Sequence, residues 1–206
     1  SEDIARYLSG IPSRIMDFSL TDTQSSAFFA DKFIHVGESL LSIFDLNLKG
    51  PHNVQNVMAA LLCAKALQLD MDKAMNACKS FRSLPHRLEY VDTINGISFY
   101  NDSKATNCDS VKSALVSFER PIRVILGGSD KGEDFGVLTE ALKKNALKAY
   151  VTGGTLDLMR QAWLGKLPLH FEPDFEACIR KAYEEATSGD NIVLSPACAS
   201  FDHFKN

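Results

Sequence analysis

In the second half of the chain, short apolar runs alternate with stretches in which apolar residues recur at helical spacing. The short runs predict buried strands, because they are continuously apolar and are bounded by glycine or polar residues. They cover residues 122–126, 149–151 and 191–194. Strands that alternate with helices predict a mostly parallel sheet with right-handed crossovers. We therefore predict an α/β fold for residues 84–206, namely a Rossmann-like, doubly wound domain.

The same region is predicted to open with an antiparallel hairpin. Residues 87–91 and 97–100 alternate as strands around Asn95-Gly96, which is the strongest short signal for a two-residue hairpin turn. Helices are predicted after the later strands, where apolar residues share one helical face. The markers of these helices are Val111, Ala114, Leu115 and Phe118; Phe135, Leu138 and Leu142; Leu156, Met159 and Trp163; and a helix that starts at Pro173.

The first part of the chain shows a different pattern. A short helix is predicted at 2–9 and a strand at 15–18. The β-rich runs 28–36 and 40–46 predict one hairpin around Gly37-Glu38.

Two helices are predicted next, the first capped by Asn53 and the second covering residues 71–81. Antiparallel strands followed by a helical pair look like the tail of an α/β domain, and residues 82–85 are the predicted linker.

Bulk properties exclude several classes of protein. The net charge of −4 argues against a nucleic-acid partner, because nucleic-acid-binding domains are usually basic. No apolar run approaches the ~18 residues that span a membrane, and the acidic start Ser1-Glu2-Asp3 is unlike a signal peptide. The five cysteines are scattered and form no C-x-x-C pair, which is typical of a reducing compartment. We expect a cytoplasmic monomer that binds neither a membrane nor nucleic acid.

One polar stretch, Asn-Asp-Ser-Lys-Ala-Thr-Asn at 101–107, joins a predicted strand to a predicted helix. Strand-to-helix turns lie at the carboxyl ends of strands, where open α/β sheets bind ligands. The turn carries a carboxylate, an ammonium group and hydroxyls, with Asn107 or Asp109 as the expected N-cap. From composition alone, a helix-capping loop and a ligand-binding loop are equally reasonable interpretations.

Three further segments accompany this stretch in a fixed order. They are Gly-Pro-His-Asn-Val-Gln-Asn at 50–56, Leu-Pro-His-Arg-Leu-Glu at 84–89 and Leu-Ser-Pro-Ala-Cys-Ala-Ser-Phe-Asp at 194–202. Together the four segments resemble the Mur ligase family, and the resemblance spans the whole chain. The residues at 102–107 are similar to those of the branch that adds D-glutamate to UDP-N-acetylmuramoyl-L-alanine.

The resemblance implies an ATP-dependent amide ligase of peptidoglycan synthesis. Its substrates would be UDP-N-acetylmuramoyl-L-alanine, D-glutamate and ATP with Mg²⁺, and an acyl phosphate would form on the alanyl carboxylate. The sequence has no P-loop, since Gly165-Lys166 lacks the upstream glycine spacing. We therefore expect residues 1–83 to be the end of the central ATP-binding domain and residues 84–206 the carboxyl-terminal domain of a longer protein. Mg²⁺ would be held mainly by the part of that domain that precedes this chain, and this chain alone would be inactive.

The resemblance also assigns residues to substrates. Those expected to meet ATP are His52, Asn53, Asn56, Arg87 and Asp102. Those expected to meet D-glutamate are Lys104, which is also the catalytic candidate, Thr106, Lys131, Ser200 and Phe201. A guanidinium suits phosphate, a carboxylate suits ribose hydroxyls, and an ammonium group suits a carboxylate. His203 is a further candidate cation, whereas Cys108 and Cys198 are interpreted as packed thiols.

Two alternatives stay open. Another amino-acid ligase of the same superfamily would share the fold but take a different amino acid, although Lys104 and Thr106 argue against it. As an isolated polypeptide, the chain could instead be a non-catalytic module that binds nucleotide or amino acid, because the P-loop is absent.

Overall fold

The computed structural model describes residues 13–48 and 50–199. The chain divides into two compact units, Ser1–Phe81 and Arg82–Asn206, so the division falls at the start of the predicted linker. The predicted helix at 2–9 and the candidate residues Ser200, Phe201 and His203 lie outside the described residues. The two units are described separately below.

The first unit begins with a small four-stranded sheet. Its strands are β1 (Phe18–Ser19), β2 (Ala27–Ala30), β3 (Phe33–Val36) and β4 (Ser39–Ser42), in that order across the sheet. β1 is parallel to β2, and the other neighbours are antiparallel. A 3-10 turn, Ile43–Asp45, follows β4.

The predicted hairpin around Gly37-Glu38 is confirmed by the antiparallel pairing of β3 with β4, but a second hairpin precedes it. The run 28–36 is split by a turn at Asp31-Lys32, whose φ values are 50° and 70°, so there are two hairpins. Positive φ at both turn residues is the requirement of a type I′ turn, which residues other than glycine and asparagine rarely satisfy. The strand predicted at 15–18 is also reduced to the two residues of β1, since Ile15 is half exposed.

Two helices complete the first unit, α1 (Pro51–Ala66) and α2 (Met71–Ser80). Contrary to the prediction, Asn53 is not the N-cap of α1, because Gly50 takes that position and Pro51 opens the helix. The side chain of Asp70 caps α2 by accepting from the amide of Lys73 at 3.1 Å. α1 packs on the sheet through a buried face. That face comprises Val54, Val57, Met58, Leu61 and Leu62.

The second unit is built on a six-stranded sheet. Its strands are β5 (Glu89–Ile94), β6 (Ile97–Asn101), β7 (Ile122–Gly127), β8 (Ala146–Thr152), β9 (Leu169–Phe171) and β10 (Asn191–Leu194). The order across the sheet is β5-β6-β10-β7-β8-β9, and every pair is parallel except β5 with β6. This arrangement confirms the predicted Rossmann-like fold, and it places the last strand between the first two parallel ones.

Helices cover both faces of this sheet. They are α3 (Cys108–Leu115), α4 (Thr139–Asn145), α5 (Leu156–Trp163) and α6 (Phe175–Glu184). α3, α4 and α5 share one core with alternate residues of the strands, whereas α6 packs on the opposite face. Trp163 is fully buried in the larger core, where its indole N–H donates to the carbonyl of Phe135 at 3.0 Å.

The element boundaries in the second unit follow the prediction with small differences. Asn95-Gly96 forms the predicted hairpin turn, with φ values of 52° and 78°. Asn107 is the N-cap of α3 and accepts from the amide of Ser110 at 2.8 Å. The last helix starts at Phe175 and not at Pro173, because the side chain of Asp174 caps it. β9 was not predicted at all.

Candidate functional site

Three loops meet at the carboxyl ends of the central strands of the second unit. They follow β6, β10 and β7, and they cover residues 102–107, 195–199 and 128–134. We call them the β6 loop, the β10 loop and the β7 loop. In open α/β sheets, ligands bind at the carboxyl ends of the strands, so this end of the sheet is the expected place for a binding site.

Backbone hydrogen bonds lock the three loops together. The amide of Ala197 donates to the carbonyl of Ala105 at 2.9 Å, which joins the β10 loop to the β6 loop. Ser129 pairs with Ala199 at 2.8 Å, which joins the β7 loop to the β10 loop. Side chains on the three loops are therefore held at fixed mutual positions, as a binding site requires.

Two glycines allow this close approach. A Cβ atom on Gly127 would lie 1.8 Å from the carbonyl oxygen of Thr152, and one on Gly128 would lie 2.3 Å from that of Ala199. Both residues also have positive φ, 120° and 146°, a region that side-chain-bearing residues rarely adopt. The turn after β7 thus depends on glycine at both positions.

A buried carboxylate lies at the centre of the site. Asp102 is 7% exposed; its Oδ2 accepts from the hydroxyl of Ser195 at 2.8 Å, and its Oδ1 accepts from the amide of Leu88 at 3.1 Å. Burial raises the pKa of Asp102, and the two hydrogen bonds and the charge of Arg87 oppose that rise. Both oxygens therefore have partners within the protein, a feature that sequence reasoning did not anticipate for the predicted ribose contact.

The segment just after the linker is attached to the same site. His86 and Leu88 have left-handed backbones, with φ values of 66° and 44°. The carbonyl of His86 accepts from the amide of Lys104 at 3.0 Å, so this segment packs on the β6 loop. Left-handed non-glycine residues persist only where their surroundings fix them, and Ala197 in the β10 loop is a third, with φ 61°. Three of the four such residues described in the second unit therefore adjoin the site.

The predicted cations project from these loops. Lys104 and Lys131 are exposed, Thr106 is half-buried, and Arg87 is exposed beside the β6 loop. Within residues 13–48 and 50–199, no carboxylate lies within ion-pair distance of Lys104 or Lys131. The structure thus brings four predicted residues together on two neighbouring segments: Arg87 lies just after the linker, and Asp102, Lys104 and Thr106 lie on the β6 loop. Lys131 lies on the adjoining β7 loop.

The cysteines near the site are packed thiols, as expected. Burial raises the pKa of Cys108 to about 12, assisted by the nearby carboxylate of Glu133. Cys198 is buried, and its sulfur lies 3.5 Å from the hydroxyl of Thr155. A thiol with a raised pKa is a poor nucleophile. All five cysteines are free.

The candidate nucleotide residues of the first unit lie in the first turns of α1. The amide of Asn56 donates to the side-chain oxygen of Asn53 at 3.3 Å. Burial lowers the pKa of His52, so the neutral imidazole is favoured. Asn56 also lines an apolar cavity of about 300 Å³ between α1 and α2. The other residues of its wall are Leu48, Val57, Ala60, Ala77, Cys78 and Phe81.

Residues 13–48 and 50–199 contain neither a cluster of potential metal ligands nor a helix suited to cross a membrane. No group of three His, Cys, Asp or Glu residues there could hold a metal ion. No described helix is both long and apolar enough to cross a membrane.

Comparison with known proteins identifies the family. The model of the "Mur ligase, glutamate ligase domain" matches residues 86–198, which include all six strands of the sheet and the three loops except residue 199. The second unit therefore corresponds to the glutamate ligase domain of this family, and the chain belongs to the Mur ligase family.

Individual relatives carry a more specific name. Proteins named UDP-N-acetylmuramoylalanine–D-glutamate ligase are 40% identical in Bacillus mycoides, over 91% of this chain, and 38% identical in Solibacter usitatus, over 85%. A third, from Caldicellulosiruptor bescii, is 36% identical over 99% of the chain. The chain spans 42%, 40% and 47% of these relatives, respectively, so it corresponds to less than half of each.

Solved structures share the fold at low identity. A bifunctional folylpolyglutamate synthase/dihydrofolate synthase from Yersinia pestis matches with a TM-score of 0.69 and 16% identity, over 98% of this chain and 48% of its own. The UDP-N-acetylmuramoylalanyl-D-glutamyl-2,6-diaminopimelate–D-alanyl-D-alanyl ligase from Acinetobacter baumannii matches with a TM-score of 0.66 and 17% identity, over 92% and 44%.

Proposed function

We propose that this chain is the carboxyl-terminal part of an ATP-dependent ligase that adds D-glutamate to UDP-N-acetylmuramoyl-L-alanine. In that reaction ATP transfers its γ-phosphoryl group to the alanyl carboxylate, and ADP leaves. The neutral amine of D-glutamate then attacks the acyl phosphate, and an amide C–N bond forms as phosphate departs with the electrons of the broken C–O bond. The amine nitrogen gives up one proton to solvent in this step. Both substrates and the donor are anionic, so the protein contributes positioning and positive charge.

The observation that supports this proposal most strongly is the interlocked set of strand-end loops. Lys104 and Thr106 lie on the β6 loop, and Lys131 lies on the β7 loop beside it. An ammonium group and a hydroxyl can bind one carboxylate of glutamate by charge-assisted hydrogen bonds. Ser200 and Phe201, which directly follow the β10 loop in sequence, are proposed to contact the rest of the amino acid.

Residues of each unit are proposed to contact ATP in the longer protein. The guanidinium of Arg87 suits a phosphate group of ATP, and the carboxylate of Asp102 suits the ribose hydroxyls. The residues proposed to contact the adenine are His52, Asn53 and Asn56. Mg²⁺ is proposed to be bound with ATP by residues of the longer protein that lie outside this chain. Ser1–Phe81 is accordingly proposed to be the end of the central ATP-binding domain. We expect such an enzyme to work as a cytoplasmic monomer.

The test is amino-acid-dependent phosphate release by the longer protein that contains this chain. With ATP, Mg²⁺ and UDP-N-acetylmuramoyl-L-alanine present, D-glutamate should stimulate release, and L-glutamate, L-alanine and diaminopimelate should not. Stimulation by another amino acid would support the other superfamily ligases instead. The 206-residue chain by itself should release no phosphate, because it has no P-loop to hold the γ-phosphate. Turnover by this chain at an ordinary enzymatic rate would refute that expectation.

A further inference from the structure

Ser195 is a buried polar residue at the site that the proposed mechanism does not use. Its side chain is 0% exposed, and its hydroxyl donates to Oδ2 of Asp102 at 2.8 Å. A side chain with no exposed surface cannot touch a substrate. Its hydroxyl can act only through the carboxylate that it contacts, which is 7% exposed.

The contacts of Asp102 lead from Ser195 to the segment after the linker. Oδ1 of Asp102 accepts from the amide of Leu88 at 3.1 Å, and the carbonyl of His86 accepts from the amide of Lys104 at 3.0 Å. Arg87 lies between these two attachments, and both of its neighbours have left-handed backbones. Its position relative to the β6 loop is therefore set by bonds on either side.

We propose that Ser195 is a positioning residue that orients Asp102, and through Leu88 fixes the approach of Arg87 to the nucleotide. The expected effect on ATP use rests on the proposed function, whereas the expected effect on the Leu88 backbone does not. Without the Ser195 hydroxyl, one oxygen of a buried carboxylate loses its partner, and Asp102 becomes free to rotate or to take up a proton. Either change weakens the bond to the Leu88 amide, which then no longer holds its backbone in the left-handed conformation.

The structural part can be tested on the 206-residue chain by amide hydrogen exchange. Ser195→Ala should speed exchange at Leu88 by about tenfold or more, as expected when a charge-assisted hydrogen bond is weakened. Thr152→Val is the matched control. Thr152 is also buried, and its hydroxyl donates to the carbonyl of Pro173 at 3.1 Å at the carboxyl end of β8. This control should lower global stability without a selective effect at Leu88.

The functional part is tested by a double-mutant cycle in the longer ligase. Ser195→Ala should raise the KM for ATP by about tenfold and leave the KM for D-glutamate within about twofold. In an Arg87→Ala background, Ser195→Ala should have a smaller effect on ATP use than in the wild type, because part of its effect passes through Arg87.

Each outcome bears on a distinct claim. Additive effects of Ser195→Ala and Arg87→Ala, or an equal rise in both KM values, would overturn the proposal. So would unchanged exchange at Leu88 in Ser195→Ala, or the same acceleration in Thr152→Val. Failure of D-glutamate to stimulate phosphate release by the wild-type ligase would instead reject the proposed function, and the exchange result would still decide the role of Ser195. The proposal stands if exchange at Leu88 rises selectively and the cycle is non-additive.

Discussion

The charged groups at the two ends of the six-stranded sheet differ in how they are paired. At the amino end, Arg123 pairs with Asp190 at 2.9 Å and donates to the hydroxyl of Tyr150 at 2.8 Å. That hydroxyl in turn donates to Glu185 at 2.8 Å, and Lys148 pairs with the same carboxylate at 2.8 Å. Each charge in this network has a partner of opposite sign.

At the carboxyl end, the charged groups of the candidate site have no directly bonded partner of opposite charge within the described residues. Asp102 is held by a hydroxyl and an amide rather than by a directly bonded cation, and Lys104 and Lys131 have no carboxylate within ion-pair distance in the described residues. The pKa values differ accordingly. The hydrogen bond from Lys148 helps to lower the pKa of Glu185 to about 2, whereas burial raises that of Asp102.

The difference in pairing distinguishes charged groups that stabilise the fold from charged groups that are suited to bind a ligand. Paired charges at the amino end connect β7, β8, α6 and the turn before β10, so they contribute to folding. Uncompensated cations at the carboxyl end contribute little to folding, and they are suited to bind an anion. Variants at the two ends should therefore change different observables.

The largest effect is expected for Lys104→Ala in the longer ligase. It should lower kcat/KM for D-glutamate by roughly 10²–10³, because a preorganised cation stabilises charge that develops in the transition state. Lys112→Ala is the control, since Lys112 pairs with Asp109 on the surface of α3. Steady-state kinetics of both variants provide the measurement. A loss of less than about threefold for Lys104→Ala would remove this residue from the site.

Next in size is a stability effect at the amino end. Glu185→Gln should lower the free energy of unfolding by about 1.5–3 kcal/mol at pH 7, because it breaks the charge-assisted bonds to Lys148 and Tyr150. Glu176→Gln, an exposed position at the start of α6, should change it by less than about 0.5 kcal/mol. Urea unfolding monitored by circular dichroism measures both.

The contribution of Glu185 to the free energy of unfolding should also depend on pH. The pKa of Glu185 is lowered from 4.5 to about 2 in the folded state, so the unfolded chain binds this proton first as the pH falls. The contribution of Glu185 is therefore complete above about pH 4.5 and is lost as the pH falls towards 2. Wild-type stability should decline more steeply than that of Glu185→Gln over this window. Parallel curves for the two proteins would show that the pair does not stabilise the fold.

A smaller effect is expected for Arg87→Ala, which tests the nucleotide side of the carboxyl end. In the longer ligase it should raise the KM for ATP by about tenfold, the loss of one charge-assisted contact, and leave the KM for D-glutamate within about twofold. Competition with ADP gives an independent readout. A rise in the KM for D-glutamate with ATP use unchanged would reverse the assignment of Arg87.

The fold was predictable because its main signals are local. Continuous apolar runs identified β7, β8 and β10, which are covered on both faces, and Asn95-Gly96 identified the hairpin. β9 was missed because it is three residues long and half-buried at the edge of the sheet. The turn at Asp31-Lys32 was missed because lysine is not a typical carrier of positive φ and no glycine follows the aspartate.

The candidate site was predictable only in part. Lys104, Thr106 and Arg87 could be predicted because they lie in short segments whose sequences resemble those of the Mur ligase family. The bond between Asp102 and Ser195 joins residues 93 positions apart, and it exists only because β10 inserts beside β6. Nothing near either residue in sequence signals this contact, and the same holds for the left-handed backbone of Leu88.

The most direct test of the central claim, a D-glutamate site at the carboxyl end, is an NMR titration of the 206-residue chain. D-glutamate should shift amide signals of residues 102–107 and 195–199 with a millimolar or weaker Kd, because a few charge-assisted contacts must offset the cost of ordering the ligand. Thr106→Val and added salt should both weaken the shifts. Equal shifts from L-glutamate, or shifts that map to the amino end around Arg123 and Glu185, would contradict the account.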